Sequence, residues 1–272
     1  IGGPTANFRF PSCEKQLKAG LCKGKKCLAP KPCPALVVDH SDYLSLLREV
    51  RKLPRVKKVF IRSGIRYDYM LKDKNNEFFK ELVKYHVSGQ LKVAPEHCSA
   101  AVLDKMGKPH IEAYIEFSKQ YFELSKSNNK QQYLVPYLMS SHPGSTLDDA
   151  IELALFLKKR SIRPEQVQDF YPTPGTISTC MFFTGLDPYT MKEVYVAKTP
   201  QEKAMQRALL QYYDSSKHEL VEKALKIAGR YDLIGNSPNC LVKPSRYAPM
   251  NQKPSGKNFK NGGYHGKSKK KN

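Results

Sequence analysis

Four cysteines lie close together near the start of the sequence, as Cys13-x8-Cys22-x4-Cys27-x5-Cys33. Thiolate sulfur binds zinc and iron–sulfur centres, and lysines like those interspersed here favour the thiolate form. The spacing matches neither a zinc ribbon nor a ferredoxin run. The segment therefore predicts a site for zinc or for an auxiliary iron–sulfur cluster. Redox-active or substrate thiols, and cysteines with no special role, are the alternatives.

A second set of residues that could do chemistry follows the predicted strands. In parallel α/β folds the ligand lies at the carboxyl ends of the strands, where the strand-to-helix loops converge. The alternative is that glycine and proline serve only to end the secondary-structure elements. Clusters of glycine, proline and polar residues follow four predicted strands, however, and this recurrence favours a ligand-binding site. The clusters are Ser63-Gly64, Pro95-Glu96-His97, Ser140 to Gly144 and Tyr171 to Gly175.

The elements that must position these clusters alternate between short β-branched runs and longer amphipathic stretches, which is typical of βα units with parallel strands. We predict strands at 57–62, 90–94, 132–139 and 166–170. Helices are predicted at 41–52, with Ser41 as N-cap, and at 76–87, 100–106, 111–125 and 147–159. Two more helices follow, at 200–213 and 217–228, and Thr199 with Glu202 forms a capping box at the first of them.

The sequence thus predicts an α/β fold in four parts. Residues 1–40 hold the end of a strand and the cysteine-rich loop, and residues 41–180 hold the βα units. Residues 181–244 form a helical C-terminal extension, and residues 245–272 form a disordered basic tail.

The chain has 272 residues, which excludes a mini-protein, and its 40% hydrophobic content excludes a mainly disordered chain. It contains no run of eighteen apolar residues and no secretory signal pattern. We therefore expect a soluble cytoplasmic protein with no membrane partner.

Its 46 basic and 25 acidic residues leave a net charge of +21. Seven basic residues fall within fifteen positions that contain one acid, Glu49; they are Arg48, Arg51, Lys52, Arg55, Lys57, Lys58 and Arg62. Such charge attracts the phosphate backbone of a nucleic acid, although a solvated surface explains it equally well.

Several collinear motifs resemble the YgiQ-like family of the radical S-adenosylmethionine superfamily, over about residues 1–243. The radical methylthiotransferases are a more distant resemblance, at Glu96 to Gly107 and at His142 to Thr146. The motifs are Gly2-Gly3-Pro4-Thr5-Ala6-Asn7, Ser63-Gly64-Ile65-Arg66-Tyr67-Asp68, Ala94-Pro95-Glu96-His97, His142-Pro143-Gly144, Phe170-Tyr171-Pro172-Thr173-Pro174-Gly175 and Leu233-Ile234-Gly235-Asn236.

This resemblance implies a partial (β/α)6 barrel in which about strands 2–6 are present. It also implies a [4Fe-4S] cluster, an electron donor such as flavodoxin or ferredoxin, and reductive cleavage of S-adenosylmethionine to make a radical on an unknown substrate. The Cys-x3-Cys-x2-Cys loop of the superfamily is absent from this sequence. We therefore interpret the chain as the C-terminal portion of a longer enzyme, with the main cluster ligands upstream and little activity on its own.

The resemblance also implies which residues bind S-adenosylmethionine, whereas no catalytic residue is assigned. Gly2 and Gly3 would bind its amino group through main-chain carbonyls, and Glu96 and His97 would lie at its ribose. Pro143-Gly144 would form a turn against it. Ser63, His142, Tyr171 and Thr173 complete the predicted cofactor-binding set.

For the histidines and Glu96 the alternative is a hydrogen bond that stabilises the loop. For the whole chain, the alternative is a basic RNA-binding protein with a cysteine-bound structural metal and no radical chemistry.

Overall fold

The computed structural model describes residues 5–9, 11–23, 26–164 and 167–245. Within them the chain forms a mixed α/β fold around an open, parallel three-stranded sheet in the order β1-β2-β3. The strands are β1 (Gln90–Glu96), β2 (Tyr133–Ser140) and β3 (Gln168–Asp169). The predicted α/β class with parallel strands is confirmed. Gly2, Gly3 and the predicted disordered tail beyond Ser245 lie outside the described residues.

Ten α-helices of the described residues surround this sheet. They are α1 (Glu14–Ala19), α2 (Ser41–Lys52), α3 (Tyr67–Met70), α4 (Glu77–Glu81), α5 (Ala100–Met106), α6 (Ile111–Ser127), α7 (Leu147–Lys159), α8 (Ile177–Thr184), α9 (Pro200–Leu210) and α10 (His218–Ile227). A π-helical turn spans Leu82–His86, and 3-10 turns span Ser215–Lys217 and Tyr231–Leu233.

The long amphipathic helices follow the sequence prediction. The capping box of α9 is present in both directions between Thr199 and Glu202. Two details differ: His40, not Ser41, is the N-cap of α2, and the helix predicted at 76–87 divides into α4 and the π-helical turn. Sequence reasoning missed α1, α3 and α8, which are short.

The strand predicted at 57–62 is wrong, because this segment belongs to no sheet of the described residues. It makes a backbone hydrogen bond to β1, from the Lys92 amide to the Arg62 carbonyl, at 3.1 Å. The Ile61 amide instead donates to the carbonyl of His86, at 2.8 Å. Among the described residues these isolated bonds do not make a ladder with β1. The last predicted strand is also shorter than expected, since β3 has two residues.

Two hydrophobic clusters hold the described fold together. One packs α2, α4 and α6 against β1, with the aromatic rings of Phe78, Phe79 and Phe117 fully buried. The other joins β2 and α7 to α9 and α10, for example through Leu153, Leu209 and Leu225. The predicted boundary between residues 180 and 181 therefore runs across a shared core.

No helix of the described residues combines the length and the apolar character needed to cross a lipid bilayer.

Candidate functional site

A cavity of about 380 Å³ opens at the carboxyl end of β1. Three segments meet there: the loop 63–68, the strand residues 92–94 and the turn 106–109 after α5. Thr5 and Tyr137 complete the lining. Its volume lies within the range of small-molecule sites, and its position is the one expected for a ligand in a parallel sheet.

Asn7 fixes the N-terminal segment against this cavity. Its buried side chain accepts a hydrogen bond from the Arg66 amide at 2.7 Å and donates one to the Arg66 carbonyl at 3.1 Å. The Ala6 amide donates to the carbonyl of Gly64, at 3.0 Å. The first two motifs of the resemblance are thus adjacent in space although they are about sixty positions apart.

Arg66 and Asp68 form an ion pair at the cavity wall that sequence reasoning missed. The Arg66 guanidinium donates to both carboxylate oxygens of Asp68, at 2.9 and 2.5 Å. The Asp68 side chain is only 5% exposed. Both residues lie within the motif Ser63 to Asp68, and their opposite charges two positions apart are the sequence signal that could have predicted this ion pair.

Glu96 ends β1 with a left-handed backbone, at φ +67°. This conformation is unusual for a residue with a side chain and is found in turns and at functional sites. The Lys108 ammonium lines the cavity and donates to the Glu96 carboxylate at 3.0 Å and to the Ala94 carbonyl at 2.8 Å. The predicted carboxylate therefore lies beside the cavity, held by a lysine that the sequence did not single out.

His97 points into the protein and is 1% exposed. Its Nδ1 accepts a hydrogen bond from the Ser99 amide at 3.0 Å. Burial lowers the pKa of His97 to about 4, so the ring is neutral at pH 7. The Ser99 hydroxyl donates to Asp149 at 2.6 Å, and Asp149 also completes the capping box of α7.

His142 is buried in a similar way, at the end of β2. Its Nδ1 donates to the Pro143 carbonyl at 2.7 Å, and its Nε2 accepts from the Ser178 hydroxyl at 2.8 Å. Burial lowers its pKa to about 4. Both ring nitrogens are therefore occupied by partners within the chain, as in the loop-stabilising alternative.

The Pro-Gly turn after β2 is held by residues from later in the chain. Gly144 has φ +93°, which favours glycine, and its amide donates to the Tyr195 carbonyl at 2.7 Å. The buried side chain of Gln206 accepts from the Ser141 amide at 3.0 Å and donates to the Ser145 carbonyl at 2.8 Å. Helix α9 thus fixes the loop that carries His142, Pro143 and Gly144.

The remaining predicted cofactor residues divide between the cavity and the surface. Ser63 lines the cavity. The Tyr171 side chain is 81% exposed. Thr173 is also exposed, and its carbonyl accepts hydrogen bonds from the hydroxyls of Thr176 and Thr179, at 2.9 and 2.6 Å. Neither residue is among the lining residues of this cavity.

The four predicted metal ligands are free thiols that make separate local contacts. Cys13 caps α1 by accepting from the Gln16 amide, at 3.4 Å, and the Cys27 thiol lies 3.4 Å from the Ser12 hydroxyl. Cys33 donates its amide to the Cys27 carbonyl, and Cys22 lines another cavity. Within the described ranges no group of three or more histidine, cysteine or acidic side chains could hold a metal ion. The metal site at Cys13, Cys22, Cys27 and Cys33 stays a prediction.

Comparisons with known proteins point to one group of relatives. Proteins named UPF0313 from Clostridium perfringens strain 13 and Clostridium botulinum strain Okra are each 60% identical to this chain, over 243 and 242 residues. This chain is similar to UPF0313 proteins. The alignments cover 89% of the chain but only 37% and 38% of the two relatives. The chain thus spans less than two fifths of their length.

The family model of a domain of unknown function, DUF3362, matches residues 165–272.

Proposed function

We propose that this chain forms one wall of the S-adenosylmethionine site of a radical enzyme, built on a partial barrel of the radical S-adenosylmethionine type. The observation that carries the proposal is the composition of the cavity at the carboxyl end of β1. Its lining takes residues from three of the motifs that carry the resemblance: Thr5, the whole run Ser63 to Asp68, and Ala94. Three motifs distant in sequence converge on one hollow of ligand size.

The residues around this cavity suit S-adenosylmethionine chemically. The Glu96 carboxylate can accept both hydroxyls of a ribose, and its bond to Lys108 keeps it beside the cavity. The Lys92 ammonium, which lies 5.5 Å from the centroid of the Tyr137 ring, can pair with a carboxylate. Apolar surface for an adenine comes from Ile65, Val93 and Met106.

The main iron–sulfur cluster that this proposal implies requires ligands of its own. The described residues offer no group of three or more cysteine, histidine or acidic ligands in metal-holding positions. We assign no residue of this chain to the main cluster and propose that its ligands correspond to the part of the UPF0313 relatives that the alignments do not cover.

When S-adenosylmethionine is bound and reductively cleaved, it supplies a carbon radical. This chain would contribute by binding and orienting that molecule. Arg66 and Asp68 neutralise each other at the wall, and Asn7 holds their loop in place. The electron would come from a donor such as flavodoxin or ferredoxin, and the substrate is one that the fold does not specify.

The test is calorimetric titration of the chain with S-adenosylmethionine. Ala94→Leu puts three extra carbon atoms at the cavity without changing charge. We expect saturable binding to the unchanged chain and at least about tenfold weaker binding to this variant, since overfilling a cavity displaces its ligand. Ala19→Leu, at the exposed end of α1, is the matched control and should bind as the unchanged chain does.

A second pair of variants tests the carboxylate. Glu96→Gln should weaken binding, whereas Glu112→Gln, an exposed position in the first turn of α6, should not. Absence of binding to the folded unchanged chain would contradict the proposal and favour the alternative of an RNA-binding protein without radical chemistry. Equal affinity of the Ala94→Leu variant would place the bound molecule elsewhere.

A further inference from the structure

The opposite edge of the sheet carries a second hollow, of about 580 Å³, which we name the amino-edge hollow. It lies where β1 and β2 begin. Its lining comes from residues 57–60, 84–85, 87–89 and 130–132, together with Arg51. Along β1, its lining residue Gly89 lies three positions before Lys92, the first strand residue of the cavity at the carboxyl edge, which is about 10 Å at about 3.3 Å per residue.

The lining of this hollow is strongly basic. Five of its described residues are cations and none is a carboxylate: Arg51, Lys57, Lys58, Lys84 and Lys130. Only Arg51 approaches an acid, Glu81, at 3.5 Å. Among the described residues, the ion pairs of the chain include none formed by the four lysines. The Lys130 ammonium donates to the carbonyls of Val83 and Lys84, but no carboxylate among the described residues neutralises these lysines, so the hollow keeps a positive charge for an external anion.

The fold brings only part of the linear basic run, namely Arg51, Lys57 and Lys58, to this hollow. Arg48 pairs with Glu77 at 2.5 Å and with Glu81, and Lys52 pairs with Glu49 at 2.7 Å. These bases are neutralised locally. The fold instead adds Lys84 and Lys130, which are distant in sequence, to Lys57 and Lys58.

Two aromatic rings accompany the cations. Tyr85 is 38% exposed, with the Arg51 guanidinium carbon 4.0 Å and the Lys84 ammonium 5.1 Å from its ring centroid. Phe60 is 36% exposed, with the Lys58 ammonium 6.0 Å from its centroid. A groove that combines cations with exposed rings suits a single-stranded nucleic acid, since cations contact the phosphates and the bases stack on the rings.

We propose that the amino-edge hollow binds a single-stranded nucleic acid. The lysines contact successive phosphates, and Tyr85 provides a stacking platform for a base. An acidic protein surface would use the same cations, but it would not need a concave site edged by two rings. This site is separate from the cavity at the carboxyl edge and does not depend on the function proposed there.

The test measures binding of a fluorescent single-stranded RNA of twenty nucleotides and mixed sequence to the full chain, by anisotropy at several salt concentrations. The variant Lys57→Glu/Lys58→Glu reverses two charges of the hollow. We expect at least about tenfold weaker binding, and a slope of log affinity against log salt that is smaller by about 1.4, since each lost phosphate contact removes about 0.7.

The matched control is Lys198→Glu/Lys223→Glu. Both positions are exposed and lie beside or within α9 and α10, away from the lining of the hollow. This variant has the same net charge as the test variant and should lose less affinity. Equal losses in the two variants would mean that only total charge matters, and would overturn the proposal.

Tyr85→Leu tests the stacking part and leaves the charge unchanged. We expect about tenfold weaker RNA binding, within the range known for loss of one base–aromatic stack. Binding of poly-glutamate should be unaffected by this variant. An RNA affinity that Tyr85→Leu leaves unchanged, or poly-glutamate binding as tight as that of RNA, would identify the hollow as a site for acidic proteins and would overturn the nucleic-acid proposal.

Discussion

The two edges of the sheet use charge in opposite ways. At the carboxyl edge most charged groups are paired within the chain, as Arg66 with Asp68 and Glu96 with Lys108. At the amino edge the lysines of the hollow have no carboxylate partner among the described residues. Paired charges fix loop geometry and leave a nearly neutral cavity, whereas unpaired charges leave a positive field.

This difference indicates two kinds of ligand. A cavity of fixed shape and balanced charge suits a small molecule that carries both charges itself. A hollow of unbalanced positive charge suits a polyanion, whose affinity falls steeply with salt. The two edges should therefore respond differently to acid, to loss of one charge and to salt.

The largest expected effect is acid sensitivity of the carboxyl edge. Burial lowers the pKa of His97 and His142 to about 4, while an unfolded histidine titrates near 6.5. Between these values the unfolded chain binds protons that the folded chain does not. The free energy of unfolding should therefore fall as the pH drops from about 6.5 to about 4, by about 3 kcal/mol for each histidine.

Urea unfolding across this pH range measures the effect. His97→Asn keeps an acceptor for the Ser99 amide but removes the titrating ring, so its pH dependence should be shallower than that of the unchanged chain. An identical slope in both proteins would show that His97 does not cause the acid sensitivity.

An intermediate effect is expected for Arg66→Met. This variant leaves the buried carboxylate of Asp68 without its ion-pair partner. The free energy of unfolding should fall by about 2 kcal/mol, somewhat less than for a fully buried pair because Arg66 is partly exposed. Urea unfolding at pH 7 measures it. A loss below about 0.5 kcal/mol would mean that water solvates Asp68 in the variant.

The smallest effect on stability is expected for Lys57→Met/Lys58→Met at the amino edge. The same type of change, a cation replaced by methionine, removes no ion pair here, so the free energy of unfolding should stay within about 0.5 kcal/mol. The same urea titration provides the comparison. A loss as large as that of Arg66→Met would remove the distinction between the two edges.

The sequence predicted those elements whose hydrogen bonds are local. Helices α2, α7 and α9 have regular apolar patterns, and the capping box at Thr199 and Glu202 can be predicted from the two residue types and their spacing. The segment 57–62 has the composition of a strand, but the residues that it hydrogen-bonds to are distant in sequence. Its Ile61 amide donates to the carbonyl of His86, twenty-five positions later, and a contact between residues so far apart in sequence depends on tertiary packing.

The candidate site, like the fold, was predicted only in part from the sequence. Ser63 and Glu96 do lie beside one cavity, but the strand predicted before Ser63 is not in the sheet, so parallel-strand reasoning accounts for Glu96 alone. It could not reveal that His97 and His142 point inward, because side-chain direction at a strand end depends on the local turn. Nor could it find Lys108 or Gln206, whose roles arise from contacts with Glu96 and with the loop 141–145.

The core shared by α7, α9 and α10 also bears on where this chain can be divided. Leu153 and Leu157 precede the start of the DUF3362 match at residue 165, whereas Leu209 and Leu225, in the same cluster, follow it. A cut at that point would expose half of one apolar core on each piece. The start of the sequence similarity therefore falls inside one apolar core, and we expect that two fragments divided there would aggregate unless they are expressed together.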